Sequence, residues 1–261
     1  MTYGRPPAPL VLEDLALGYG HHAALRIPAL RLETGALVAV AGPNGGGKST
    51  LLTALAGQLR PLAGRIRGLE GRRTAWLPQH ATMDRSFPIR MFDMVAMGLW
   101  HEVGALGSLS RAQRRRCEAA LEAVGLADHA QRSIGALSGG QFQRALFARL
   151  LLQDADLVLL DEPFAAVDGP TTDLLMALLL QWHAAGKTIL VVLHDRQRAL
   201  QHCPQALLLA GEVVDFGPAA QVLGSAPIDG PPRAPAVQAI PPAAPRTPTP
   251  AHRLLAGGAW T

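Results

Sequence analysis

Nine consecutive residues, Gly42-Pro43-Asn44-Gly45-Gly46-Gly47-Lys48-Ser49-Thr50, put flexible backbone, one cation and two hydroxyls in an order that suits a phosphate chain. They match G-x-x-x-x-G-K-[ST] and stand between a short apolar run, 37–41, and a helical stretch expected from about 48 to 58. Glycines here let backbone N–H groups turn inward around a β-phosphate, at a helix end whose dipole already favours anions. Lys48 places a point charge between the β- and γ-phosphates, and the Ser49 hydroxyl suits a Mg²⁺ ligand.

A second set of chemical groups follows an apolar run at 156–160, where Asp161 and Glu162 stand in succession. Two carboxylates just past the carboxyl end of a buried strand suit two tasks. Asp161 can hold Mg²⁺ through its hydration shell, and Glu162 can polarise an attacking water as general base. Between the two sets lies Leu137-Ser138-Gly139-Gly140-Gln141. A fully specified string of five appears by chance in on the order of one chain in a thousand. It reads as a helix start, with Ser138 as N-cap and Gly139 and Gly140 offering exposed amides.

The elements that must carry these groups follow from periodicity. Residues 10–19 and 25–32 alternate in the manner of paired strands, 37–41 is a short buried strand, and 74–77 is a strand stopped at Pro78. From 87 to 150 the pattern turns helical, with Ser110 and Gln113 forming a capping box for an Arg-rich helix. Strands at 156–160 and 188–193 flank a helix at 170–184 that Gly186 stops. Strands alternating with helices predict a parallel sheet with crossover helices, interrupted by a helical insertion.

The ordered set resembles the nucleotide-binding domain of an ABC transporter, the ATPase that drives a membrane permease, over about residues 10–223. The resemblance implies a P-loop, RecA-like α/β core with an antiparallel β subdomain and an inserted helical subdomain carrying the 137–141 signature. It places the ATPase domain at 1–224, with the core at about 1–86 and 155–224 and the helical subdomain at about 87–154. It also assigns roles. Gln79, just after Pro78, senses Mg²⁺ and the γ-phosphate; His194, ending the apolar run before Asp195, contacts the γ-phosphate; Tyr19 lies against adenine, where stacking is worth roughly 1–3 kcal/mol. Ser138, Gly139, Gly140 and Gln141 close over the ATP of a second protomer, and Asp168 crosses that interface. ATP, Mg²⁺, a homodimer and integral-membrane permease subunits are thereby implied.

Two stretches are more specific: Phe87-Pro-Ile-Arg-Met-Phe-Asp-Met-Val-Ala-Met-Gly, and the run from Ile134 through the signature to Asp-Glu-Pro-Phe-Ala-Ala-Val-Asp. Both are similar to the ATPases of zinc and manganese importers, which implies zinc as cargo, with manganese or an iron-siderophore as alternatives, and an extracytoplasmic metal-binding protein as an indirect partner. Arg85 departs from that group, which often carries an aromatic residue there. A soluble ABC-type ATPase working on nucleic acid generally has two cassettes or a long coiled-coil insertion, and this chain has neither, so no nucleic-acid partner is expected. A small-molecule kinase would leave 137–141 unexplained. Phe87, Met91, Met94 and Met97 are candidates for a permease docking patch, with a helical core face as the other reading.

Bulk composition agrees with a peripheral place. Apolar residues make up 49% of the 261 and charged ones only 17%, yet no run reaches the ~20 apolar residues a spanning helix needs. The first residues lack an apolar signal core, so the site is expected to face the cytoplasm, at the inner membrane's surface. Cys117 and Cys203 have no metal or redox spacing and read as structural. The net charge of +4 is too diffuse to name a partner. Residues 225–261 turn Pro- and Ala-rich and read as a tail without packing surface.

Overall fold

A computed structural model describes residues 8–79, 84–104, 107–165 and 167–224. The alternating stretch at the start forms β1 (Leu10–Tyr19) and β2 (His22–Leu32), an antiparallel hairpin whose register shifts at Leu17/Gly18. Next come β3 (Leu37–Ala41), α1 (Lys48–Leu55) and β4 (Ala63–Arg67), which pairs with the outer side of β1. The result is a three-stranded sheet in the order β2-β1-β4. The helix α1 ends three residues before the expected 58, because Gly57 takes a left-handed conformation at its end.

The chain then lays down β5 (Thr74–Leu77) and the helical insertion, α2 (Met91–Ala96), α3 (Trp100–Val103), α4 (Arg111–Ala123) and α5 (Gly139–Gln153). Both expected caps are present: Ser110 with Gln113 on α4, and Ser138 with Gln141 on α5, each a reciprocal capping box. Returning to the core are β6 (Leu157–Leu160), α6 (Gly169–Ala184), β7 (Thr188–Val192), α7 (Arg196–His202), β8 (Gln205–Leu209), β9 (Val213–Pro218) and α8 (Ala219–Val222). These strands form a six-stranded sheet, β5-β6-β7-β3-β8-β9, parallel except for β9.

The parallel strands are apolar at successive positions because both faces are covered. Leu37, Ala39, Val158, Leu160, Ile189 and Val191 face a core shared with α2, α4, α5 and α6. Val38, Val40, Leu157, Leu159, Leu190 and Val192 face the other core, shared with α1 and the hairpin. Phe147 of α5 stacks on Trp182 of α6 at 5.9 Å between centroids and on Phe164 at 6.4 Å, which joins the insertion to the sheet.

The docking candidates divide. Met91 and Met94 are fully buried, so the core reading holds for them, whereas Phe87 is exposed. Residues 87–92 and 130–137 run side by side, joined by Ile134 N–H to Ile89 O (3.0 Å), Met91 N–H to Arg132 O (2.8 Å) and Phe92 N–H to Ala130 O (2.9 Å). No helix among the described residues is long and apolar enough to cross a membrane. The expected tail, 225–261, lies outside the described residues.

Candidate active site

β3 lies between β7 and β8, although the chain visits β7 and β8 in succession. Such a switch of strand order opens a crevice at the carboxyl edge, where ligands bind in sheets of this kind. Gly42 turns the chain out of β3 with φ 137°, so close to the next strand that a Cβ there would stand 1.9 Å from the Leu209 carbonyl oxygen. Gly47, at φ 94°, starts α1 against the side chain of Leu25. Both positions demand glycine, by conformation and by space. Lys48, the first residue of α1, is almost wholly buried, its Nζ donating to Gly42 O at 2.8 Å and Pro43 O at 3.0 Å.

Asn44 through Thr50 line a cavity of about 280 Å³ that Gln79, at the end of β5, and Glu162, after β6, complete. Asp161 is only 3% exposed; its N–H donates to Leu77 O, and the Ser49 hydroxyl donates to its carboxylate. Burial pushes that carboxyl above its ordinary value and the neighbouring Glu162 adds to the rise, while the Ser49 bond, Lys48 and His194 oppose it. Its Oδ1 is buried without a hydrogen-bond partner. An unsatisfied carboxylate oxygen beside a hydroxyl is the kind of donor set a hard divalent cation takes, so these residues fit Mg²⁺.

Glu162 holds a left-handed backbone at φ 51°, which costs an ordinary residue roughly 1–2 kcal/mol. The strained turn brings its Oε1 to 2.7 Å from His194 Nε2. Glu162 also borders a second cavity of about 240 Å³, which His194 and Arg198 line with it. A carboxylate paired with an imidazole at the mouth of a phosphate loop can take up a proton from water.

Lys48, Ser49, Gln79, Asp161, Glu162 and His194 are thus brought to one crevice. Tyr19 stands apart at the hairpin's end, 64% exposed. The signature residues Ser138, Gly139, Gly140 and Gln141 do not line the 280 Å³ cavity; Ser138 and Gly139 are exposed, and a Cβ at Gly140 would meet only open space. Asp168 caps α6, accepting from the Thr171 N–H at 2.8 Å, and its bonds to Thr171 hold the exposed carboxyl below its usual range. Gln143 escapes a motif search, yet its Nε2 donates to Pro163 O at 2.7 Å and ties α5 to the turn that carries Glu162. The two cysteines are buried and unpaired, and burial pushes the Cys203 thiol up to about 12.

A parallel sheet with a glycine-lysine loop at its switch point, a buried acid and a paired base defines the class of nucleotide-hydrolysing P-loop proteins. Within that class, the family model described as ABC transporter matches residues 25–165. The chain is 39% identical over 212 residues to the zinc transport system ATP-binding protein TroB of Treponema pallidum, covering 79% of this chain and 80% of that one. It is 38% identical to the manganese transport system ATP-binding protein MntB of Bacillus subtilis, covering 82% and 88%. A solved metal-chelate type ABC transporter in an inward-facing conformation superposes with a TM-score of 0.73 at 29% identity, over 82% of this chain and 85% of that one. The chain belongs to the ABC transporter family, as one of its ATP-hydrolysing subunits.

Proposed function

We propose that two copies of this chain, arranged head to tail, hydrolyse Mg-ATP at the cytoplasmic face of the inner membrane and drive a permease that imports a divalent metal ion, zinc in the first instance. The observation that carries the chemistry is the Glu162–His194 pair, 2.7 Å apart beside a cavity built from the phosphate loop and Gln79. Relatives named for zinc and for manganese stand at nearly equal identity, which supports a divalent metal as cargo. An extracytoplasmic metal-binding protein would then deliver the ion to the permease without touching this chain.

Entering phosphates meet the inward amides of the loop, and the Lys48 ammonium exchanges its carbonyl partners for β- and γ-phosphate oxygens. Ser49 and Asp161, with Gln79, would hold Mg²⁺, which when bound neutralises charge on those oxygens. His194 moves from Glu162 to the γ-phosphate, leaving the carboxylate open to orient a water and accept its proton. Tyr19 stacks on the base. The exposed Ser138 and Gly139, with Gly140 beside them, do not line their own chain's cavity, which supports their use, with Asp168, on the nucleotide of a second copy.

A cavity of about 530 Å³ between the start of β5 and the insertion supports a docking place for the permease. Met97, Trp100, His101 and Arg149 line it, and Trp100 is 57% exposed. Large exposed aromatics of this kind commonly mark partner surfaces. Glu162→Gln tests the chemical core. Loss of a general base removes about 10²–10⁴ in rate, so turnover should fall at least a hundredfold while the variant still binds Mg-ATP and dimerises with it. Hydrolysis assays with mass measurement in nucleotide would check both, and turnover near that of the parent would remove Glu162 from its role.

A further inference from the structure

Residues 85–92 and the segment 130–137, which enters the signature, are joined side by side. Backbone bonds join 89–92 to 130–134, and Gly135 packs so closely that a Cβ there would lie 2.7 Å from the Arg85 carbonyl oxygen. At the end of this seam Arg85 reaches over. Its Nη2 donates to the carbonyl oxygen of Leu137, and its guanidinium lies 5.0 Å from the ring centroid of Phe142, one turn into α5. The peptide joining Leu137 to Ser138 is therefore held on both sides, because the Ser138 N–H donates to Gln141 Oε1 at 3.0 Å while the Leu137 oxygen accepts from Arg85. A planar peptide so clamped cannot rotate without breaking both bonds.

We infer that Arg85 is a positioning residue of the signature: it fixes the orientation in which Ser138, Gly139 and Gly140 are presented to the nucleotide of a second copy. The inference rests on the head-to-tail reading above. A phenylalanine at this place could stack on Phe142 but could not donate to the Leu137 carbonyl. The clamp is thus a property of arginine, with lysine as its nearest substitute, since an ammonium both donates and sits over a ring. Arg85 touches neither the phosphate loop nor the acids, so the first nucleotide should bind each monomer without it.

The experiment measures two constants in a Glu162→Gln background: affinity of the dilute monomer for a fluorescent ATP analogue, and dimer dissociation in Mg-ATP by sedimentation. Arg85→Ala should weaken the dimer about tenfold and leave monomer affinity within about twofold, and Arg85→Lys should recover most of the loss. A dimer as tight in Arg85→Ala as in its parent overturns the assignment. Parallel loss of monomer affinity, unrelieved by Arg85→Lys, overturns it as well by showing a general folding role. If the Glu162→Gln parent itself stays monomeric in Mg-ATP, the head-to-tail reading fails first and takes the clamp with it.

Discussion

At the scale of single residues, the site keeps groups that a stability-optimised protein would not. Asp161 is a buried carboxyl whose affinity for a proton is raised by desolvation, and folding therefore favours its neutral form. The penalty is absent below the ordinary value of 3.8, grows as pH rises through the interval up to the folded value, and is complete above it. Asp161→Asn should accordingly raise the melting temperature of the nucleotide-free protein at pH 7. The gain should vanish near pH 4, and Mg-ATP should stabilise the parent more than the variant. Thermal melts from pH 4 to 8 with and without Mg-ATP would show it; equal melts of the two proteins at every pH would contradict the burial argument. Residue types and spacing were enough to single out Lys48, Ser49, Asp161 and Glu162. Gln143 and Arg85 were not legible as links, because a bond to a carbonyl 20 or 52 residues away leaves no local pattern.

At the scale of elements, legibility follows burial. The strands of the parallel sheet are apolar on both faces and bounded by glycine or charge, so 37–41, 74–77 and 188–193 stand out. β4 does not stand out, since its Ala-Gly-Arg-Ile-Arg is mostly exposed and its register with β1 shifts at Gly64, whose missing side chain lets it approach Asp14 O. β8 reads equally as helix or strand over five residues, and β9 pairs antiparallel with it across a register shift. Both capped helices are legible because Ser–x–x–Gln satisfies the orphan amides of the first turn. The proposed division of labour between α1 and α5 has a direct check. Lys48→Ala should weaken ATP binding at its own loop, and Ser138→Arg should leave binding intact but block hydrolysis. An equimolar mixture should recover activity, because one dimer in two then contains one complete composite site. A mixture in which heterodimers form but activity stays at the level of either variant would rule out the arrangement.

At the scale of the whole molecule, the cavity at Trp100 borders the start of β5 and the crevice at Glu162 the end of β6, at opposite edges of the parallel sheet. A strain lacking this chain should grow poorly only when zinc is chelated and recover on added zinc, with manganese as the second metal to test. Unchanged growth and unchanged cellular zinc and manganese under chelation would remove the metal assignment and leave the ATPase intact. The Gln143–Pro163 bond has a consequence for how the two nucleotides are handled. If α5 presents its amides to one ATP and is tied, one turn further on, to the turn bearing the base for the other, then neither reaction has a private framework. On the proposed head-to-tail arrangement, binding at one end of the dimer would set the posture of the machinery at the other, and the pair of chains would behave as a single engine with two fuel chambers.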